Sequence, residues 1–212
     1  MASMLKRLTG GMDGRGEAKD GPQLPKKGQT WVRKRVHGGY QADEDKEELL
    51  YLDYTPCCNR KPVDFTTDLR PKRNGREVRL FLCITMYNED DEELDRSLKG
   101  VAANLETLSR YRLSWENVLV CMVVDGRSKA NPKTLKYMKE TLHIYDESMI
   151  LERINHSDVT MHMFERTIAI PKHTAQNKYY PPMQLMLALK ERNGGKLNSH
   201  LWYFAGFCKN VN

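Results

Sequence analysis

Seven consecutive apolar residues, Val118 to Val124, stop abruptly at Asp125-Gly126-Arg127. An earlier apolar run over residues 80–84, inside the stretch 79–89, stops in the same way at Thr85-Met86-Tyr87-Asn88-Glu89. Short unbroken apolar runs bounded by polar residues read as strands buried on both faces of a sheet, and the β-branched content of 118–124 favours strand over helix. After the first run, Leu94, Leu98, Val101, Leu105 and Leu108 alternate gaps of four and three. That spacing is one stripe of an amphipathic helix. After the second run, Asn131 can cap a helix starting at Pro132, with Leu135, Met138 and Leu142 along one face. Strand, polar turn and helix, twice over, predict βαβ units with the two strands side by side in a parallel sheet. In such sheets ligands bind at the polar turns that follow the strands.

The remaining segments are read around that frame. Residues 1–30 are rich in Gly and Lys, lack periodicity and are expected to be disordered, the basic tail extending to residue 40. Arg33, Lys34 and Arg35 and the acidic run 43–48 read as solvated surface. Residues 51–71 hold Pro56, Pro62 and Pro71 with Phe65 as an apolar anchor, and read as an extended segment wrapping a neighbouring domain. Residues 159–170 predict a further strand. Residues 181–190 read as an apolar helix ended by Asn193-Gly194-Gly195, and 196–200 as a tight turn into a final segment, 201–207. The division is therefore a tail (1–40), an extended segment (41–77) and an α/β region (78–212).

Composition narrows the function classes. No apolar run approaches the roughly 20 residues of a membrane-spanning helix, and no signal peptide is visible, so the segment is expected to face the cytoplasm. Five cysteines without metal-type spacing argue against a disulfide framework and fit a reducing compartment. A net charge of +6 fits a phosphate-bearing substrate, an acidic membrane surface or nucleic acid. The basic residues are dispersed, with no long run alternating with aromatics, so nucleic acid is the weakest of the three. His156, His162, His173 and His200 lack ligand spacing, and no GxxxxGK[ST], GxGxxG or GxSxG motif is present.

The two strand tips together offer an aromatic ring (Tyr87), two carboxylates (Glu89, Asp125), a glycine that permits close backbone approach (Gly126) and a guanidinium (Arg127). That set suits a nucleoside. A carboxylate can accept the imide N–H that uracil has and cytosine lacks, and Tyr87 can stack. Asp90, Asp91, Glu92 and Glu93 read instead as complements to a helix N-terminus, and Glu89 fits either role. Arg127 and Lys129 can neutralise a diphosphate. Lys196 is the better candidate, because it follows glycines that let the chain come close.

Several ordered motifs carry a family resemblance. They are Ile84-Thr85-Met86-Tyr87-Asn88-Glu89-Asp90 preceded by Leu-Phe-Leu-Cys, Val-Asp-Gly-Arg at 124–127 with Asn131-Pro132, and Tyr54-Thr55 through Asp68-Leu69-Arg70. Gln184 through Lys190-Glu191 and Lys196-Leu197-Asn198-Ser199-His200 before Trp202 follow in order. Over residues 51–207 the chain resembles chitin synthases, processive family 2 glycosyltransferases. The resemblance implies a Rossmann-like nucleotide-sugar glycosyltransferase sheet of GT-A type, residues 78–212 being the N-terminal half of the catalytic domain. It implies transfer of N-acetylglucosamine from UDP-N-acetylglucosamine to a β-1,4-linked chitin acceptor chain, with Mg or Mn in the full-length enzyme, at the cytoplasmic face of the plasma membrane. Thr85, Tyr87, Glu89 and Asp125 would form the uridine pocket, with Gly126 and Arg127 beside it and Lys196 near the diphosphate.

The departures are as informative. The family's DxD-type metal motif, its Glu-Asp-Arg and Gln-Arg-Arg-Arg-Trp elements and its transmembrane helices are not in this sequence, and Leu201 stands where many relatives carry Arg. The expectation is thus the first part of a synthase, truncated before the metal motif, binding no metal and inactive alone. A non-catalytic UDP-sugar-binding or regulatory module and a basic nucleic-acid binder are the competing classes. Oligomeric state is left open, a homo-oligomer included.

Overall fold

A computed structural model of the protein describes residues 30–37, 47–172 and 178–212. In chain order the strands are β1 (Val32–Arg35), β2 (Tyr51–Cys57), β3 (Leu80–Met86), β4 (Val118–Val124), β5 (Arg153–Ile154), β6 (Ser157–Asp158), β7 (Met161–Ile168) and β8 (Met183–Lys190). The helices are a single turn α1 (Arg70–Arg73), then α2 (Asp91–Ser109), α3 (Pro132–Glu140) and α4 (Lys196–Leu201), which runs on as a π-helical segment, Trp202–Phe207. Six strands form one mixed sheet in the order β1-β2-β7-β8-β4-β3, and β5 and β6 form a separate hairpin. β3, β4 and β8 are mutually parallel, whereas β7, β2 and β1 join antiparallel. The fold is α/β, as expected, but the sheet is mixed rather than parallel throughout.

Local chemistry explains the two βα units. Asp90 caps α2 by accepting from the Glu93 N–H at 2.9 Å, and three acidic residues follow in its first turn, where they complement the helix dipole. Its buried stripe is Leu94, Leu98, Ala102 and Leu105. Asn131 caps α3 by accepting from the Lys133 N–H at 3.0 Å, with Pro132 in the first turn. The alternation of β4 divides the core between the two faces of the sheet. Val118, Val120, Met122 and Val124 pack on the side of α2 and α3. Leu119, Cys121 and Val123 pack on the side of Phe65, Leu69, Trp202, Tyr203 and Phe207.

Five readings are corrected. Residues 183–190 are not a helix but a central strand, buried along its whole length. Met, Leu and Ala favour helices, but flanked by β4 and β7 the segment buries both faces, Leu185, Leu187 and Leu189 on one side and Met186 and Ala188 on the other. Periodicity cannot separate such a run from a buried helix. Residues 196–200 are not a tight turn but the start of α4, which the positive φ of Gly195 (81°) sets off from β8. Arg33 and its neighbours are not solvated tail but β1. Residues 51–57 are extended, as read, but as a strand inside the sheet rather than a wrapping. β3, expected to be buried on both faces, is the edge strand, and six of its seven residues are only half-buried. The part of the tail and acidic run over 1–29 and 38–46, and residues 173–177, lie outside the described residues. Among the described residues no helix is long and apolar enough to cross a membrane, and all five cysteines are free thiols.

Charge holds the antiparallel half in place. The fully buried Asp53 on β2 takes both Nε (2.6 Å) and a terminal nitrogen (2.9 Å) of Arg33, and Arg73 at 2.7 Å. Arg73 also reaches Glu165 of β7 at 3.2 Å, while Arg70 donates to the carbonyls of Tyr51, Glu165 and Glu48. Burial alone would raise the Asp53 carboxyl, but the Arg33 hydrogen bond and the charges of Arg70, Arg33 and Arg73 hold it below its ordinary value. Glu165 shares this cluster and moves the other way, because burial outweighs the arginines around it. A carboxyl whose folded pKa is depressed stabilises the fold above its unfolded value and loses that contribution as pH falls through the folded one. Thermal melts of the wild type should therefore fall as pH drops below about 4, the ordinary carboxyl range. Asp53→Asn should cost roughly 3 kcal/mol or more near neutral pH, because it strands buried arginines, and should flatten that acid limb. A wild-type slope retained in the variant would remove Asp53 from this role.

Candidate functional site

The polar turns after β3, β4 and β8 meet at one edge of the sheet. Met86 pairs with Val124, and the Asp125 N–H donates to the Met86 carbonyl at 2.8 Å, so the first two tips are hydrogen-bonded neighbours, as expected. Asp125 is buried, at 5% exposure. Its Oδ1 accepts from Lys190 Nζ at 2.5 Å and from the Gly194 N–H at 2.9 Å. Its Oδ2 has no hydrogen-bond partner among the described residues. Asp125 is thus the clasp between the end of β4 and the turn after β8, with one oxygen left over.

Gly126 follows with φ 104°, and a Cβ there would sit 3.0 Å from the backbone nitrogen of Asn193. The glycine was read as admitting a ligand. In the structure it admits the 193–194 turn, which lets Gly194 reach Asp125. Arg127 comes next, with Nε 2.8 Å from Glu191 and about a third of its side chain exposed.

On β3, Thr85 is half-buried, and past the strand Tyr87 is 46% exposed with its ring free to meet a ligand. Glu89 is exposed, and its Oε2 accepts from the Tyr87 N–H at 2.5 Å. Thr134 of α3 donates to the Glu89 carbonyl at 2.6 Å, which ties the second helix to the first turn. Lys196 is exposed at the start of α4, two residues past Gly194.

A cavity of about 1160 Å³ opens beside this clasp, lined among others by Arg60, Arg127, Lys190, Glu191, Gly194 and Trp202. Of the seven residues singled out from sequence only Arg127 lines it. Asp125 borders it through its two partners, and Thr85, Tyr87 and Glu89 lie on the other side, at the β3 tip. Four contributors were missed. Lys190 was read as the end of a helix, and its pairing follows only once 183–190 is a strand parallel to β4. Glu191, His162 and Tyr54 form a hydrogen-bonded line behind Arg127: Tyr54 OH to His162 Nδ1 at 2.9 Å, and His162 Nε2 to Glu191 Oε1 at 2.5 Å. Burial lowers the His162 pKa against the opposing pull of Glu191, so the neutral ring donates to the carboxylate. A single histidine in an apolar run gives no sequence signal for such a role.

Among the described residues no cluster of three or more His, Cys, Asp or Glu side chains could hold a metal ion, and Asp125 already spends an oxygen on Lys190.

Residues 80–212 match the family of chitin synthase-like glycosyltransferase domains. Chitin synthase 1 of Phytophthora sojae is 36% identical over 184 residues, 79% of this chain and 20% of the relative. Chitin synthase A of Ampelomyces quisqualis is 33% identical over 181 residues, and chitin synthase 1 of Fusarium oxysporum f. sp. lycopersici 36% over 179, each spanning 77% of this chain and 20% of the relative. The chain therefore spans about a fifth of the length of these relatives.

The clasp makes a structural prediction. Gly126→Ala puts a methyl against the Asn193 backbone at a φ that L-residues avoid, and should destabilise the protein by about 1–3 kcal/mol. Urea unfolding measures this, and a cost below about half a kcal/mol would mean that the 193–194 turn is not seated on Gly126.

Proposed function

The chain belongs to the chitin synthase-like glycosyltransferase family, and from that membership we propose that its strand tips bind the uridine nucleotide of UDP-N-acetylglucosamine. The transfer to a growing β-1,4 chitin chain belongs, in this reading, to the full-length parent. The fold is the mixed α/β sheet of a GT-A-like, Rossmann-type glycosyltransferase.

One observation carries the reading: the divided carboxylate of Asp125. A buried aspartate held by Lys190 and Gly194 on one oxygen is fixed in direction, and its other oxygen is available as an acceptor. The imide N–H of uracil is a donor at the matching position, whereas the corresponding nitrogen of cytosine is an acceptor and meets the carboxylate unfavourably. The exposed ring of Tyr87 supplies a stacking face one strand away, with Thr85 and Glu89 lining the same tip. Gly126 keeps the turn close to its neighbour. Arg127 and Lys196 are the cations for the diphosphate, whose charge also suits the net +6 of the chain.

Titration calorimetry with UDP and CDP tests this directly. UDP should bind in preference to CDP, and Asp125→Asn, which turns an acceptor into a donor on one side, should cost about tenfold or more in UDP affinity while narrowing the gap to CDP. Equal affinity for the two nucleotides in the wild type would end the proposal.

We propose further that these residues bind the donor without transferring the sugar; in support, no cluster of three or more His, Cys, Asp or Glu side chains among the described residues could hold a metal ion. A coupled UDP-release assay with UDP-N-acetylglucosamine, chitin oligomer and manganese or magnesium should show no turnover above background. Metal-dependent release would reverse this. UDP binding with no release fits equally a donor-binding module.

A further inference from the structure

Behind Arg127 stands a line of side chains that the uridine reading does not use. The Leu151 N–H donates to the Tyr54 hydroxyl at 3.2 Å, which directs the hydroxyl proton to His162 Nδ1, 2.9 Å away. The imidazole proton is thereby fixed on Nε2, and it is donated to Glu191 Oε1 at 2.5 Å. The same Glu191 oxygen forms an ion pair with Arg127, 2.8 Å from its Nε, and the Tyr145 hydroxyl interacts with the guanidinium.

The burial along this line is graded. The Tyr54 and His162 rings are fully buried between strands, Tyr54 packing on Phe164 with centroids 4.8 Å apart. Glu191 and Arg127 are 28% and 35% exposed, and both line the cavity. Both ring nitrogens of a buried histidine are thus spent on side chains, and the line ends on a cation at a cavity wall. Arg60 and Arg192 line the same cavity, and neither has an ion-pair partner among the described residues. An arginine free to rotate loses much side-chain entropy when it captures a ligand, and one already fixed by its neighbours loses less.

We infer that Tyr54, His162 and Glu191 are positioning residues that fix the Arg127 guanidinium on the cavity wall to receive an anionic group. In the reading above, on which this inference rests, that group is the diphosphate of the nucleotide. The base is then read by Asp125, which is tied to the cavity through Lys190 and Gly194, and the phosphates by a guanidinium set in advance two residues further along the same turn.

The test must leave both charges in place, because removing the Glu191 carboxylate would by itself draw an anion closer. Tyr54→Phe with His162→Phe does so. The double change replaces two buried, mutually bonded polar groups by apolar rings of similar shape, and partly exposed Glu191 can turn to water. Uridine and UDP are titrated into the wild type, the double variant, Arg127→Ala and the triple variant, with near-ultraviolet circular dichroism as the check on folding. The double variant should bind UDP roughly 3–10-fold more weakly and uridine unchanged, since only the phosphates meet the arginine. In the Arg127→Ala background the two ring changes should cost nothing further.

Loss of uridine and UDP affinity together, an unchanged UDP affinity, or the same loss persisting without Arg127 would each overturn the inference and leave the line as core packing. These results stand apart from failure of the uridine reading, in which the wild type itself binds neither ligand. That outcome would remove both.

Discussion

The buried ion pair between Asp125 and Lys190 is the contact on which the geometry of the sheet edge depends. Moving two charges out of water costs several kcal/mol each, and attraction at short range recovers this only when geometry is good and the remaining valences are met. Here the separation is 2.5 Å, both residues are at 5% exposure, and the Gly194 amide adds a second donor to the same oxygen. Such a pair adds little net stability, but it leaves the chain few alternatives. Any displacement of the turn after β8 leaves a buried carboxylate without its partners. The turn is thus pinned to β4 by electrostatics and by the close seat that Gly126 gives Asn193. Lys196 and α4 inherit their placement from it.

The two halves of the sheet are held by different physics. β4 and β8 are apolar along nearly their whole length and held by packing on both faces. β7 (Met-His-Met-Phe-Glu-Arg-Thr-Ile) is equally buried yet carries three charged or titratable side chains. Each is answered: His162 by Tyr54 and Glu191, Glu165 by the Arg70 N–H and Arg73, and Arg166 by the carbonyls of Leu49 and Leu142. Burial lowers the Arg166 guanidinium to about 10, with Arg70 adding to the effect. Satisfied groups of this kind specify register more than they stabilise. A one-residue slip of β7 would turn Glu165 away from Arg70 and Arg73 and toward the face packed by Phe164 and Ile168.

This difference sets what was legible beforehand. β3, β4, α2 and α3 follow from sequence because local signals agree: an apolar run, a sharp polar stop, a capping residue and a helical stripe. The 183–190 strand was misread because its Met, Leu and Ala content speaks for helix, and only its place between β4 and β7 makes it a strand. β1 was misread because Arg33 looks like surface until Asp53 is known to lie across the ladder from it. At the site, Asp125 announced itself by ending β4 so abruptly. Lys190 could not be seen, since its partner is fixed by strand order, which no local pattern encodes. Gly126 was correctly picked as a close-approach position, but what approaches it is protein backbone.

The mixed topology explains why so many unlike residues reach one edge. Parallel β3, β4 and β8 deliver their carboxyl ends there, and with them Tyr87, Asp125 and Lys190. Because β7 runs antiparallel to β8, with Met161 opposite Lys190, its beginning rather than its end lies at that edge. β2 reverses again, so that Cys57 pairs with Met161. His162 and Tyr54, distant in sequence from the polar turns and from each other, are thereby brought within a side chain's length of Glu191. In an all-parallel sheet the strand in the place of β7 would bring its last residues to this edge and carry its second residue to the far one. The antiparallel insertion therefore supplies what the parallel strands alone could not, a buried second layer behind the cavity wall, and it ties the N-terminal strands to the site through hydrogen bonds rather than through the chain.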